Sequence, residues 1–180
     1  MASIEIYPYD STWPTLFLET AKPIREALGP VAKRIDHVGS TSIPGAAAKP
    51  IIDIQISVAS FEPFAPILQP LNALGYNWRE SNPHRSKRYF RETPGTRRTH
   101  IHVRRAGTWS EQLPLLFRDY LRLHPHDLQD YIEVKYQLAA QFPEDRSAYT
   151  GGKSAIIWQI IRKATEWAQI HDWYAGPSDV

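Results

Sequence analysis

The sequence predicts one α+β domain whose C-terminal third is helical. Polar residues alternate with isoleucines from residue 50 to residue 58, which is the two-residue period of a strand. Apolar residues recur at helical spacing in the first 28 residues and again beyond residue 110. No repeat, low-complexity tract or linker divides the 180 residues, so we expect these strands and helices to form a single domain over 1–180.

Composition excludes several classes of protein. Hydrophobic residues make up 42% and charged residues 22% of the chain, as in globular proteins and unlike disordered ones. The lack of cysteine rules out disulfides, a thiol nucleophile and a cysteine-based zinc site. The first residues lack the basic and apolar runs of a secretory signal, and every apolar run is too short to span a bilayer. We therefore expect a cytoplasmic protein with no membrane partner.

Helix and strand signals alternate through the first half of the chain. Asp10 and Ser11 are plausible N-caps of a helix that Gly29–Pro30 ends, and the small polar residues after position 38 are typical of a loop. Three prolines make the helix that begins at Ser60 irregular. The pattern predicts, in order, a helix at 14–28, strands at 32–38 and 50–58, and a helix at 60–74.

The second half changes from short strands to long helices. Three strand-like segments follow Gly75, and apolar residues then recur at helical spacing as far as position 169. The tail, from Tyr174 through Gly176–Pro177, is predicted to fray. We predict strands at 76–79, 87–91 and 99–104, and helices at 110–123, 127–141 and 146–169.

A basic stretch lies in the predicted strand region. Between Arg79 and Arg105, nine Lys or Arg residues stand against two acids, an excess of +7 where the whole chain carries +2. Lys87 and Arg88 beside Tyr89–Phe90 can combine phosphate contacts with a stacking face. A solvated hairpin neutralised by acids elsewhere is the alternative. Because the stretch is compact, we expect a small phosphate compound or nucleotide as partner, and not long nucleic acid.

The segment from residue 37 to residue 55 carries the strongest functional signal. A predicted strand ends at Gly39, where the backbone allows close approach, and three hydroxyls that can cradle phosphate oxygens follow it: Ser40, Thr41 and Ser42. Lys49 can touch the same phosphates, or it is a surface charge. The next strand presents Asp53, which can hold a divalent metal ion beside those phosphates. Alternatively, Asp53 is a buried partner of a basic residue, Arg34, Lys49 or Lys153.

His100 and His102 form a second candidate site. As alternate residues of a predicted strand they point to one face and can converge on one ligand. With Asp53 they would form a site of two histidines and one carboxylate, which many divalent transition metals accept. One of them can instead act as a general base near neutral pH, or both can be hydrogen-bonded supports of the sheet.

These blocks, in this order, make the sequence similar to the GrpB family of the nucleotidyltransferase-fold superfamily. The resemblance implies a nucleotidyltransferase-like mixed β-sheet flanked by helices. It matches Gly39–Ser40 and Asp53 to the glycine-serine and acidic motifs of the superfamily, and Lys153 to a recurrent family lysine. The resemblance covers nearly the whole chain. The blocks that carry it are 7–10 with Trp13, 37–53, 87–90, 99–103, 116–121, and Tyr149 with Lys153.

The acidic motif departs from the superfamily pattern. Superfamily members hold two metal ions on two or three carboxylates, usually including Asp-x-Asp or Asp-x-Glu, and transfer a nucleotidyl group from a triphosphate to an acceptor. Here Gln55 occupies the second acidic position, and His100-Ile-His102 stands where a third carboxylate is expected. A neutral glutamine weakens two-metal catalysis, because neutralising the charge of the phosphates is its main contribution.

Three hypotheses of function follow. The first is metal-assisted nucleotidyl or phosphoryl transfer to a small acceptor, with Asp53, His100 and His102 as catalytic residues. Its divalent cofactor, Mg²⁺ or Mn²⁺, is expected on Asp53, Gln55 and His102. Its phosphate contacts are expected from Gly39, Ser40, Thr41, Ser42, Lys49, Arg88 and Lys153.

The other two hypotheses do not need a two-metal site. One is a noncatalytic nucleotide- or partner-binding domain, since the resemblance includes GrpB-like domains fused to dephospho-CoA kinase in some bacteria. The other is a different condensation or hydrolysis that uses His100 and His102. The sequence predicts no particular oligomeric state.

Overall fold

The structure, a computed structural model, describes residues 3–180. Six α-helices lie in that range: α1 (Trp13–Leu28), α2 (Ala65–Ala73), α3 (Trp109–Leu123), α4 (Pro125–Gln141), α5 (Arg146–Gly152) and α6 (Ser154–Ile170). The strands of the same range are β1 (Ala32–Val38), β2 (Ile52–Val58), β3 (Tyr76–Trp78), β4 (Lys87–Glu92) and β5 (Thr99–Arg105). Within the described residues, no helix is long and apolar enough to cross a bilayer.

The strands form one mixed sheet in the order β1-β2-β5-β4-β3. β2 and β5 run parallel, and the other neighbouring pairs are antiparallel. A parallel pair needs a long crossover, and here the chain makes it through α2, β3 and β4. The sheet is followed by four helices, α3 to α6. The predicted α+β class, with its helical C-terminal third, is therefore confirmed.

The alternation along β2 sets the two faces of the sheet. The isoleucines of β2 point into a hydrophobic core formed with α1 and α2. Gln55 lies on the opposite face, where its side-chain amide donates to the carbonyl of Glu111 in α3 (2.9 Å). Residues of α3, α4 and α6 enclose a second hydrophobic core on that side. The polar residues of β2 therefore lie between the sheet and the C-terminal helices.

Two helices differ from their predictions. The helix predicted at 60–74 begins only at Ala65, because Ser60 accepts a hydrogen bond from the Glu62 amide in a local turn. The helix predicted at 146–169 is two helices, α5 and α6, which meet at Lys153. A Cβ atom at Gly152 would lie 2.5 Å from Leu138 Cδ2, so this glycine lets α5 pack closely on α4.

The C-terminal tail is docked, and the prediction that it frays is wrong. β1 is an edge strand, and the tail supplies partners for its outward-facing backbone groups. The Ile35 amide donates to Ser178 Oγ (2.8 Å), and the Asp179 amide donates to the Ile35 carbonyl (3.2 Å). Asp179 Oδ2 accepts from the His37 amide (2.9 Å) and from Arg118 Nη1 (3.0 Å). Such polar contacts leave no periodic hydrophobic pattern in the tail, so sequence periodicity does not reveal them.

Candidate functional site

Asp53, His100 and His102 meet on the face of the sheet that the C-terminal helices cover. The register of β2 and β5 pairs Asp53 with His100 and Gln55 with His102, so these side chains share one face. Asp53 Oδ1 lies 3.2 Å from His100 Nδ1 and 3.2 Å from His102 Nε2. The side chain of Asp53 is 26% exposed, so a ligand can reach it. The structure thus brings together the three residues that the sequence analysis named as catalytic candidates.

Hydrogen bonds place the protons of this cluster. Lys87 Nζ donates to His102 Nδ1 (3.2 Å), so the ring proton of His102 lies on Nε2 and is donated to Asp53. Burial lowers the pKa of the His102 imidazole to about 4, which keeps it neutral. Burial by itself raises the pKa of Asp53, but the hydrogen bonds from His100 and His102 outweigh it and hold that pKa well below its usual range. Asp53 is therefore an ionised acceptor that binds both rings.

The cluster has the donor set of a divalent metal site. One oxygen of Asp53 and one ring nitrogen of each histidine lie within 4.8 Å of one another. His100 Nε2 is buried without a hydrogen-bond partner, so the bonding of this ring is directed through Nδ1, towards Asp53. Two imidazoles and a carboxylate are ligands that transition metals accept, so the residues fit such an ion. Such an ion on His102 Nε2 would require the ring proton to lie on Nδ1, and the hydrogen bond from Lys87 would then be lost.

Replacing Lys87 by methionine is expected to strengthen metal binding by about tenfold or more. The Lys87 ammonium group holds the His102 proton on Nε2, the atom that a metal ion needs, and adds a positive charge beside the site. Methionine keeps the length of the side chain but cannot donate. Calorimetric titration with Mn²⁺ compares Lys87→Met with Lys33→Met, which removes an exposed lysine of β1. Equal Mn²⁺ affinities in the two variants would show that Lys87 does not control whether His102 Nε2 carries the proton.

Gly39 brings the turn after β1 into contact with Asp53. Its φ of +73° lies in the region that favours glycine. A Cβ atom at this position would lie 2.7 Å from Asp53 Oδ2 and 3.0 Å from Asp53 Cβ, closer than real Cβ atoms approach. The turn and the carboxylate can therefore meet only because residue 39 has no side chain.

The three hydroxyls of this turn have different uses. Ser42 Oγ donates to the carbonyl of the preceding glycine (2.6 Å), and Thr41 Oγ1 donates to the carbonyl of Ile51 (3.1 Å). Both hydroxyls hold the turn itself. Ser40 Oγ instead accepts a hydrogen bond from Lys135 Nζ (3.0 Å) at the wall of a cavity. Ser40 is therefore the serine of the turn that is best placed to meet a ligand.

A cavity of about 350 Å³ lies in front of Asp53, and we call it the cationic cavity. Asp53 is the one carboxylate residue that lines it in the described part of the chain. Its basic residues are Lys49, Lys135, Arg146 and Lys153. Among residues 3–180, none of these four side chains has a carboxylate within 4.0 Å. The cavity therefore has a large excess of positive charge.

Packing holds the lysines of this cavity close together. Lys49 Nζ and Lys153 Nζ lie 4.9 Å and 4.7 Å from the centre of the Tyr149 ring. Burial, with the nearby charge of Lys153, lowers the pKa of Lys49 to about 8. Burial, with the same neighbour, lowers the pKa of Lys135 to about 7. Cations that repel one another in a partly buried cavity favour an anion that carries several charges.

The structure does not gather every predicted site residue at this cavity. Arg88 lies on the opposite face of the sheet, with its guanidinium 4.3 Å from the centre of the Phe61 ring. Gln55 is fully buried, donates to Glu111 and is not among the residues that line the cationic cavity. Gly39 and Ser42 do not line the cavity either. The predicted residues that do line it are Ser40, Thr41, Lys49, Asp53, His100, His102 and Lys153.

Lys135 and Arg146 also line the cavity and were not predicted from the sequence. Lys135 is 2% exposed and belongs to the buried stripe of α4 that includes Leu128 and Ile132. A lysine in place of an apolar residue in such a stripe is a detectable signal, since lysine is rarely buried without a partner or a function. Arg146 is exposed at the start of α5, and no sequence pattern distinguishes it from a surface charge.

Comparison with known proteins identifies the family. The profile described as "GrpB protein" matches residues 3–163. The chain belongs to the GrpB family. UPF0157 protein PA4798 of Pseudomonas aeruginosa is 41% identical over 164 residues, which cover 89% of this chain and 67% of that protein. The crystal structure of conserved protein GrpB from Enterococcus faecalis superposes with a TM-score of 0.84 at 30% identity, covering 92% of this chain and 99% of that one.

More distant or partial matches give the fold a wider context. Terminal uridylyl transferase 4 from Trypanosoma brucei, solved with bound dUTP, matches with a TM-score of 0.55 at 12% identity over 88% of this chain and 56% of that one. This GrpB-family chain therefore has a nucleotidyltransferase-like fold. Dephospho-CoA kinase of Mycolicibacterium paratuberculosis is 31% identical over an alignment of 197 positions, which covers 96% of this chain and 48% of that enzyme. The chain also spans 48% of UPF0157 protein YqkA of Bacillus subtilis, so both relatives are longer.

Proposed function

We propose that the protein transfers a nucleotidyl or phosphoryl group from a nucleoside triphosphate to a small acceptor, assisted by a divalent metal ion. The observation that carries the proposal is the opening of the cationic cavity onto the Asp53–His100–His102 cluster. A polyphosphate chain with a metal ion is a ligand that uses both features at once. The uridylyl transferase of the same fold, solved with bound dUTP, supports a nucleotide as the donor.

The residues of the site have distinct roles in this proposal. Lys49, Arg146 and Lys153 contact phosphate oxygens, and Lys135 orients Ser40 so that its hydroxyl can donate to them. Asp53 and the two histidines hold the metal ion, which when bound supplies charge neutralisation at the phosphates.

The ligand set favours a particular class of metal. The usual second carboxylate of the superfamily motif is replaced by Gln55, and the cluster contains one carboxylate and two imidazoles. Imidazole binds transition metals in preference to Mg²⁺, whose usual ligands are oxygens. We therefore expect Mn²⁺ or Zn²⁺ to bind more tightly than Mg²⁺.

A thermal-melt titration tests the proposal. Wild type is titrated with tripolyphosphate and with ATP, GTP, CTP and UTP, each with and without Mg²⁺, Mn²⁺ or Zn²⁺. A triphosphate at 100 times its Kd adds about 2.7 kcal/mol to the free energy of unfolding, a shift of about 5–10 °C. No shift with any of these ligands in any metal would contradict the proposal.

Replacing Lys153 by methionine is expected to weaken tripolyphosphate binding by about tenfold or more. Lys153 Nζ lies against Tyr149 at the cavity wall and has no carboxylate partner among the described residues, so its charge is available to the ligand. Lys22→Met, on the exposed face of α1, is the matched control and is expected to bind as wild type does. Equal affinities of the two variants would remove Lys153 from the phosphate site.

A noncatalytic nucleotide-binding domain is the second candidate function. It is favoured by one observation, the single carboxylate in a cluster where the superfamily uses two or three. Release of pyrophosphate or phosphate from the bound triphosphate distinguishes the two. The assay offers water or added alcohols as acceptors. If the triphosphate binds with metal but neither pyrophosphate nor phosphate is released, the noncatalytic binding domain is favoured.

A further inference from the structure

A second cavity, of about 270 Å³, adjoins the cationic cavity. The two share part of their walls, namely Ser40, Asp53, His102 and Lys153. The second cavity differs in the residues that line it alone, which include Gln55, Arg104, Phe117 and Tyr131. A ligand whose phosphates occupy the cationic cavity can therefore extend past Asp53 into a space of different chemistry.

Gln55 lines this second cavity and has a buried acceptor without a partner. Its side chain is 0% exposed, and its Nε2 donates to the carbonyl of Glu111 (2.9 Å). Because a carbonyl only accepts, this bond fixes which end of the amide is nitrogen. The other end, Oε1, has no hydrogen-bond partner. A buried acceptor left unpaired is costly, so the site favours a ligand that donates to it.

Arg104 lines the same cavity and has a buried donor without a partner. Its Nη1 donates to Ser110 Oγ (2.6 Å), but its Nε is buried with no hydrogen-bond partner. Within residues 3–180, no carboxylate lies within 4.0 Å of its guanidinium. A charge that is buried without a partner is costly. A ligand atom that accepts a hydrogen bond would reduce that cost.

Two aromatic rings complete the second cavity. Phe117 and Tyr131 meet edge to face, with ring centres 5.6 Å apart and planes at 84°. Rings in this arrangement offer an apolar surface against which a flat ligand can pack. The cavity therefore combines an unpaired acceptor, an unpaired donor and an aromatic wall.

We infer that the second cavity binds the nucleobase of the nucleotide, with Gln55 Oε1 accepting from a base N–H and Arg104 donating to a base nitrogen or carbonyl. The inference rests on the proposed function, because it requires the phosphates to lie in the cationic cavity. It assigns Gln55 to recognition of the base and not to metal binding. It also makes the ligand a nucleotide, since inorganic polyphosphate has no N–H to donate to Gln55 and no flat ring to pack against the aromatic wall.

Equilibrium binding in the presence of Mn²⁺ tests the inference, with tripolyphosphate and the four nucleoside triphosphates as probes. For wild type we expect the best triphosphate to bind at least about tenfold more tightly than tripolyphosphate. Gln55→Met and Arg104→Met are each expected to reduce the ratio of triphosphate affinity to tripolyphosphate affinity about tenfold. Gln55→Met changes no charge, so we expect it to leave the tripolyphosphate affinity itself within about twofold of wild type.

A third variant keeps the test decisive if the polar substitutions unfold the protein. Phe117→Leu leaves every polar group of the cavity in place and is expected to reduce the ratio of triphosphate affinity to tripolyphosphate affinity. Phe61→Leu, on the opposite face of the sheet, is the control and is expected to leave that ratio unchanged. A ratio that is near one in wild type, or unchanged in every cavity variant that folds, would overturn the nucleobase site. Failure of wild type to bind tripolyphosphate would instead overturn the proposed function on which it rests.

Discussion

Replacing Gly39 by alanine is expected to lower the affinity for Mn²⁺ by about 10- to 100-fold. The added Cβ atom would lie 2.7 Å from Asp53 Oδ2, so either the turn or the carboxylate must move. Asp53 is held by both His100 and His102, and a shift of its oxygen breaks the convergence of the three ligand atoms. The positive φ adds backbone strain of about 1–3 kcal/mol, which is measurable by urea unfolding.

Gly107 provides a control that separates strain from steric contact. Its φ of +74° nearly equals that of Gly39, but a Cβ atom there would have no other atom within 4 Å. Gly107→Ala is therefore expected to lose stability through its positive φ alone while binding Mn²⁺ as wild type does. If both alanine variants lose the same metal affinity, the close approach of Gly39 to Asp53 is not what shapes the site.

Replacing Asp53 by asparagine is expected to change ligand binding in opposite directions with and without metal. Asparagine has the same shape but no charge, so Mn²⁺ affinity falls by at least about 100-fold and the metal-dependent stabilisation by triphosphates disappears. Without metal, tripolyphosphate should bind at least as tightly as to wild type, because the substitution removes the carboxylate from the cationic cavity. Calorimetry with and without Mn²⁺ measures both effects.

The opposite signs make this prediction specific. A variant that is merely misfolded loses binding under both conditions, whereas loss of a metal ligand affects only one. Asp130→Asn, on the exposed surface of α4, is the control and is expected to match wild type in both. Metal-dependent binding that survives in Asp53→Asn would place the metal ion outside the cluster.

The central strands and their polar residues were predictable because they depend on local pattern. Alternation along β2 placed Asp53 opposite the isoleucines, and alternation along β5 placed His100 and His102 on one face. Asp53 and the two histidines share one face of the sheet because β2 and β5 pair in parallel. The family resemblance implied a mixed sheet but not this particular pairing. The Asp53 cluster was therefore anticipated as a set of residues, and the structure supplied its geometry.

The basic residues of the site were harder to predict because they arrive from distant helices. Lys135 reaches Ser40 across 95 positions of sequence, through the packing of α4 over the turn. The basic stretch in the strand region suggested Arg88 instead, but the two-residue period of β4 places Arg88 on the face opposite Lys87 and Tyr89. Counting charge along the chain does not tell which face of the sheet carries it.

The docked tail links the end of the chain to the dynamics of the site. The His37 amide, two residues before Gly39, is satisfied by the carboxylate of Asp179 and not by a neighbouring strand. Arg118 joins the same carboxylate to the His37 carbonyl (3.0 Å). Hydrogen exchange at the His37 amide therefore reports local opening of the tail, a motion that needs no unfolding of the sheet. When the tail opens, the strand end that carries the glycine turn loses its outer support.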